Sequence, residues 1–187
     1  MQVLLFILLI FLTLLFLFLF ANLLALPFYF YAMFRGAFFA PSRPEYVKTM
    51  IRLLKSQLHS KSEKTHLLKI ADLGSGDGRV LIALAKAGFE AHGFEINPLL
   101  VLRSHWNIQR QLPRELHQHA FVHWQDFWNV NFHFDAITVY GIGWIMKRLE
   151  KKFLAETKPG TILVSNAFTF PNLKPIKKEG VVLVYKH

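Results

Sequence analysis

The sequence contains no cysteine. That excludes a disulfide framework, a thiolate zinc site and a cysteine nucleophile. It is also short of charge: only 18% of its 187 residues are Asp, Glu, Lys or Arg, against about a quarter in an ordinary soluble domain. The shortage is local. Residues 1–34 carry no charged side chain, so all 22 basic and 12 acidic residues lie from Arg35 onward. Acids are the scarcer sign, and the formal net charge is +10. Such a field attracts nucleic acid or anionic lipid alike. With an uncharged apolar segment attached, the lipid bilayer is the simpler partner, since each Lys or Arg near its surface gains about 1 kcal/mol.

What fills the charge-free segment is apolar. From Val3 to Ala21 only Thr13 interrupts the run, and its hydroxyl can bond back onto the helix. That is the length of about 20 residues that a helix needs to cross a bilayer core. Pro27 is expected to kink or end the helix, and Phe28, Tyr29, Phe30 and Tyr31 suit the headgroup interface. A cleaved signal peptide fits poorly: Met1-Gln2 carries no basic side chain, the apolar core is too long, and no small-residue cleavage site stands out. Arg35, Arg43, Lys48, Arg52 and Lys55 follow the span closely, which predicts a single-pass membrane protein with its C-terminal domain in the cytoplasm. The expected division is residues 1–34 as anchor and interfacial segment, and residues 35–187 as one globular domain.

Beyond the linker 35–44, Tyr46, Val47, Met50, Ile51, Leu54 and Leu58 recur at helical spacing, so Glu45–Leu58 reads as a helix started by Ser42 or Pro44. Ser60–Thr65 reads as a polar loop. Strands are expected at Leu67–Leu73, Ala91–Phe94, Phe121–Trp124, Ala136–Tyr140, Thr161–Ser165 and Val181–Tyr185. Helices are expected at Arg79–Ala87, Pro98–Gln111 and Ile145–Glu156. Strands alternating with helices predict an α/β fold, a Rossmann-like, doubly wound and mainly parallel sheet.

The most informative stretch runs from Ile70 to Arg79, IADLGSGDGR. A strand enters three alternate glycines, Gly74, Gly76 and Gly78, and a helix opens behind them. Glycine permits a tight turn and close approach of a ligand to the backbone, at the carboxyl ends of the strands. The acid Asp72 stands two residues before the first glycine. It would repel the pyrophosphate of a dinucleotide, which sits at such a helix N-terminus, and would favour a cationic ligand. S-adenosylmethionine carries an amino group and a sulfonium and no phosphate. Glu95 ends the second strand, where an acid can accept hydrogen bonds from ribose hydroxyls. Asp126 ends the third, placed to bond an adenine amino group with Phe127 beside the base. The candidate cofactor site is therefore Asp72, Gly74, Ser75, Gly76, Gly78, Glu95, Asp126 and Phe127, with S-adenosylmethionine as cofactor.

These residues resemble the class I S-adenosylmethionine-dependent methyltransferases, with ADLGSGDGR similar to motif I and GFEINP similar to the acidic motif after it. PSRPEYVKTMI, DFWNVNFHFDAITVYGI and LEKKFLAETKPGTILVSNAFTFPN narrow the resemblance. They are similar to the small membrane-associated family that includes the lysine methyltransferases of the ATP synthase c subunit and the adenine nucleotide translocase. The resemblance implies that Asp72, Gly74, Gly76 and Gly78 hold the methionine part of the cofactor, Glu95 the ribose and Asp126 the adenine. It puts Pro41–Tyr46 near the active site and Tyr140-Gly141 where the methyl acceptor enters. The class ends in a strand hairpin, and this chain stops soon after Tyr185, which leaves room for the last strand to be missing. The fourth strand lacks the Asn/Asp-Pro-Pro-Tyr of enzymes that methylate DNA amino groups, which argues against a nucleic-acid substrate.

The implied reaction is displacement at the sulfonium methyl, with the protein mainly aligning the partners. A lysine acceptor must first lose a proton from a group whose ordinary pKa is about 10.4. Glu45, Tyr46, Tyr140 and Trp144 are the candidate catalytic residues that could take that proton or line the acceptor wall. His117, His119 and His123 lack carboxylates at ligand spacing apart from Glu115, and no metal site is expected. A lysine of a membrane protein is the favoured acceptor. A lipid or quinone, or a non-catalytic cofactor-binding module, are the alternatives.

Overall fold

The computed structural model describes residues 2–35, 39–58 and 67–187, apart from the side chains of 3, 25 and 27–35. The chain divides into two compact units, Met1–Phe38 and Phe39–His187.

The first unit is one helix, α1 (Gln2–Arg35). Within it Leu4–Leu24 has a mean hydropathy of 3.2 over 21 residues, none of it buried. At 1.5 Å per residue that is about 30 Å, the thickness of a bilayer's hydrocarbon core. Two of its polar side chains bond back onto the helix: Thr13 Oγ1 donates to Leu9 O and Asn22 Nδ2 to Phe18 O, both at 2.8 Å. Of the two outcomes expected at Pro27, a kink or an end, the end does not occur: the helix runs on to Arg35. A proline removes a single backbone donor, and the apolar residues beyond it retain their reason to stay helical. The side chains of the aromatic stretch Phe28–Tyr31, and the expected loop Ser60–Thr65, lie outside the described residues.

The second unit runs α2 (Pro44–Leu58), β1 (Lys69–Leu73), α3 (Arg79–Lys86), β2 (Glu90–Glu95), α4 (Pro98–Gln111), β3 (Ala120–Trp124), β4 (Ala136–Val139), α5 (Gly143–Glu156), β5 (Ile162–Asn166), β6 (Lys177–Glu179) and β7 (Val182–Lys186). The sheet has seven strands in the order β3-β2-β1-β4-β5-β7-β6. β1 to β5 pair in parallel, while β7 runs antiparallel to both β5 and β6. This is a Rossmann-like, doubly wound and mainly parallel sheet.

Both faces of the sheet are covered, which explains the near-continuous burial of Ala136–Val139 and Ile162–Asn166. On one face α2, α3 and the C-terminal half of α4 enclose a core of Leu53, Leu54, Ile70, Leu81, Leu84 and Val164. On the other, α5 packs Met146, Leu149 and Phe153 against Ile137, Leu163 and Tyr185. In α2 the buried Val47, Met50, Leu54 and Leu58 form one stripe, and Lys48, Arg52 and Lys55 stay exposed. Proline at the first helical position of α4, after an Asn97 cap that accepts from Leu99 N at 3.0 Å, makes that start legible in sequence.

The sheet lacks no strand. The strand that sequence patterning missed is β6, which reads Lys-Lys-Glu. A charged three-residue edge strand has no apolar alternation to announce it, and its charges discourage pairing with another chain. Glu179 of β6 is ion-paired with Arg52 of α2. Glu150 of α5 shapes the approach to β6: its buried carboxylate accepts from Asn172 N, Asn172 Nδ2 and Leu173 N.

Candidate active site

The sheet changes winding direction between β1 and β4, and their carboxyl ends form the crevice where ligands bind in this topology. The Asp72–Gly78 loop stands there. Gly74, Gly76 and Gly78 all have left-handed backbones, with φ of 77°, 57° and 80°. Gly78 is also sterically required, since a Cβ there would stand 2.2 Å from Ser104 Oγ and 3.3 Å from Ser104 Cα, whereas one on Gly76 would meet, at 2.9 Å, only the partly exposed Phe39 ring. Gly74 differs, since a Cβ there would meet nothing within 4 Å. It is the point at which the loop backbone faces open space. Gly74 N and Ser75 N both donate to Phe94 O, at 3.0 and 3.1 Å, tying the loop to the end of β2.

Asp72 sits opposite Thr138 of β4, whose Oγ1 donates to Asp72 Oδ1 at 2.7 Å. Burial pushes the Asp72 carboxyl up to about 7; the Thr138 bond opposes the rise and the nearby Glu95 charge adds to it. Glu95 is buried too. Its Oε2 accepts from Gly76 N at 2.9 Å and its Oε1 from Asn97 N at 2.8 Å. Burial raises its carboxyl as well, against the pull of the backbone N–H groups of Asn97, Gly76 and Ile96. Two buried carboxylates thus share one crevice, each costly to ionise, and a cation beside them would relieve both. This set of acceptors fits the ammonium and sulfonium of S-adenosylmethionine and opposes a pyrophosphate. Two carboxylate oxygens offer about four acceptor sites, so Glu95 retains capacity for ribose hydroxyls.

Several residues that sequence reading passed over complete the frame. Arg79 forks onto Asp77, Nε to Oδ1 at 2.9 Å and Nη2 to Oδ2 at 2.7 Å, while its Nη1 donates to Ser42 O at 3.0 Å. Burial acts to raise the Asp77 carboxyl, yet the Arg79 guanidinium holds it below the usual carboxylate range. Asn107 Nδ2 donates to Asp77 O at 2.8 Å. Ser42, expected as a possible helix start, instead receives Asn166 Nδ2 on its Oγ at 3.2 Å. The segment before α2 is thereby fastened to the loop on one side and to β5 on the other. Asn166 is 1% exposed, and its Oδ1 has no hydrogen-bond partner among the described residues. The next residue, Ala167, has φ 70°, a strained value for a residue with a Cβ. Motif spacing alone signals neither Thr138 nor Asn166. Only strand register brings them level with Asp72 and the loop.

The other candidates are placed as follows. Asp126 caps a short 3-10 turn, its Oδ1 accepting from Trp128 N at 3.0 Å. Phe127 is buried in the core on the α5 face, its ring centroid 4.7 Å from that of Trp128. Tyr140 follows β4, half-exposed, its ring centroid 6.1 Å from that of Phe168. Trp144 is exposed in the first turn of α5, and Glu45 is exposed in the first turn of α2. Tyr46 packs against the core beneath α2, with the Arg43 guanidinium 5.9 Å from its ring centroid. His92 and His123 stack, with Nδ1 and Nε2 3.1 Å apart, and His117 Nε2 bonds Leu112 O at 2.9 Å.

Residues 72–177 match the ANTKMT methyltransferase domain family. The chain is 34% identical over 152 residues to the ATP synthase c-subunit lysine N-methyltransferase of Xenopus laevis, covering 80% of this chain and 62% of that protein. It is 32% identical over 114 residues to the adenine nucleotide translocase lysine N-methyltransferase of Mus musculus, covering 60% and 48%. Among solved structures, an RNA methyltransferase from Salinibacter ruber in complex with S-adenosyl-L-homocysteine superposes with a TM-score of 0.66 at 23% identity, over 79% of this chain and 92% of that one. The chain spans between about half and three-fifths of the length of the first curated relatives it matches.

Proposed function

We propose, from the premise that this chain belongs to the ANTKMT methyltransferase domain family, that it is a membrane-anchored S-adenosylmethionine-dependent methyltransferase acting on lysine in a membrane protein. The observation that carries the proposal is the pair of buried carboxylates, Asp72 and Glu95, set around a left-handed glycine loop whose Gly74 faces open space. Relatives named for lysine methylation of the ATP synthase c subunit and the adenine nucleotide translocase support the choice of acceptor. The bilayer is the partner of α1, and the basic residues from Arg35 onward support a cytoplasmic catalytic unit.

Bound in this crevice, S-adenosylmethionine supplies an electrophilic methyl group on a sulfonium. The protein's work is to bind and align. Asp72 offers a carboxylate to a cationic amino group, with Thr138 holding one of its oxygens in place. Glu95 offers its remaining acceptor sites to ribose hydroxyls while fixing Gly76, and Asp126 and the backbone around it meet the adenine. On the acceptor side the paired rings of Tyr140 and Phe168, with Trp144 following in the first turn of α5, offer apolar surface that disfavours a charged lysine. Asn166 Oδ1, buried and without a hydrogen-bond partner among the described residues, is the nearest spare acceptor in β5, and Glu45 and Tyr140 are the candidates to receive the departing proton.

The test is to incubate the full chain and membranes with methyl-labelled S-adenosylmethionine, then separate protein from lipid. Label on lysine in the protein fraction is expected. Label confined to the organic phase would refute the lysine acceptor. Cofactor binding with no label anywhere would refute the enzyme.

A further inference from the structure

Tryptophan is a large side chain and is heavily buried on average. This chain has four, and only Trp128 is buried. Two of the others stand at the carboxyl ends of strands. Trp124 closes β3 and is 70% exposed, and Trp144 opens the helix after β4 and is 63% exposed. Beside Trp124, the first turns of α4 hold Leu99 and Leu102, 70% and 67% exposed. Trp124 Nε1 donates to Ile96 O at 3.0 Å, which fixes the indole at the end of β2 next to the start of α4.

Strand order makes these a set. β3 lies two strands from the glycine loop on one side and β4 one strand away on the other, which at about 4.8 Å per strand is roughly 10 and 5 Å. Phe39, 41% exposed and resting against Gly76, lies between them. The apolar side chains therefore ring the mouth of the site. Isolated exposed leucines need no explanation, whereas contiguous apolar surface around a site does.

The charge at this rim has one prevailing sign. The acids nearest the loop, Asp72, Asp77 and Glu95, are buried. Among the described residues, the exposed ionisable groups in the adjoining first turns and linker are Arg43, Arg103 and Lys147, against Glu45, with Asp126 half-buried two residues after Trp124. Exposed indoles and leucines mixed with basic side chains suit the headgroup region of an anionic bilayer, where amphipathic rings partition and cations find phosphates.

We propose that this rim is a second membrane contact, independent of α1, which seats the mouth of the site in the bilayer interface. The acceptor is then a lysine at headgroup depth and not one far out on a soluble domain. The inference rests on the reading that α1 anchors the chain in a membrane.

Because α1 contains no tryptophan, indole fluorescence in the intact chain reports the catalytic unit alone. The full chain is reconstituted into vesicles of phosphatidylcholine and phosphatidylglycerol with bromines near the headgroup end of the acyl chains. With two of the four indoles at the rim, about half of the emission should be quenched, as interfacial rings require. Trp124→Phe/Trp144→Phe should abolish most of that quenching. Leu99→Glu/Leu102→Glu, which changes no indole, should reduce it at least about twofold by unseating the rim.

Absence of quenching in a chain that resists alkaline carbonate extraction would overturn the rim contact and leave the anchor standing. Extraction of the chain by carbonate would instead overturn the anchoring on which the rim contact rests. Undiminished quenching in both double variants, or indoles shielded only when a membrane protein acceptor is added to the vesicles, would also overturn it. In that last case the rim is a protein-docking face.

Discussion

Asp72→Asn separates the cost of the site from its use. Folding lifts the Asp72 carboxyl from 3.8 to about 7. At about 1.4 kcal/mol per pH unit, keeping this group ionised in the folded, ligand-free chain costs about 4 kcal/mol. The sign follows from a raised folded pKa. Below about pH 4 the acid is neutral in both folded and unfolded chains and there is no penalty; the penalty grows through the interval to about 7 and is constant above it. Asparagine carries no charge, and its side-chain oxygen can still accept the Thr138 hydroxyl. The ligand-free Asn variant should therefore melt higher than the parent at about pH 8, with the difference vanishing near pH 4. Cofactor binding should move the other way. A cationic amino group favours the ionised acid, so affinity of the parent should rise as pH rises through about 7, and the variant should lose both the affinity and its pH dependence. If the cation restores half to all of the ionisation cost, the loss is about 2 to 4 kcal/mol, or roughly 30- to 1,000-fold in Kd. Calorimetric titration with S-adenosylmethionine across that pH range, beside thermal melts, measures both halves. Equal affinity of variant and parent at about pH 8, or a parent affinity flat from about pH 6 to 8, would show that Asp72 does not face the cation.

Other perturbations test the frame. Gly78→Ala adds a Cβ 2.2 Å from Ser104 Oγ at a left-handed backbone. It should cost about 1–3 kcal/mol of stability in melts and lose cofactor binding; a variant as stable as the parent would mean that α3 and α4 part without cost. Arg79→Lys keeps the charge and loses the fork onto Asp77 and the bond to Ser42 O. Hydrogen exchange in residues 39–43 should accelerate, and unchanged protection there would refute the fastening role. Glu150→Ala leaves Asn172 N, Asn172 Nδ2 and Leu173 N without their acceptor. It should cost about 1–3 kcal/mol and loosen β6 in exchange measurements, with little effect on Kd for the cofactor.

Much of this protein is legible from its residues in order. Glycine's freedom at positive φ and the fixed offset of an acid from it make the Asp72–Gly78 loop readable without coordinates. Proline and asparagine announce the start of α4, and uninterrupted apolarity announces α1. Signals fail where the local residue type contradicts its element. β6 is Lys-Lys-Glu and looks like a loop, and Pro27 looks like a helix end inside a helix that continues.

The sequence by itself determined that a charge-free helix precedes an α/β unit, and that an acidic glycine loop opens its first crossover, because helix periodicity, turn chemistry and charge act over a few residues. Tertiary structure alone decided that Thr138 steadies Asp72, that Asn166 lies level with the loop, and that β3, ending in Trp124, and β4, followed by Trp144, lie on opposite sides of β1. Those neighbours come from strand order and register. Pairing energies accumulated over the whole sheet set both, and no stretch of chain read in isolation contains them.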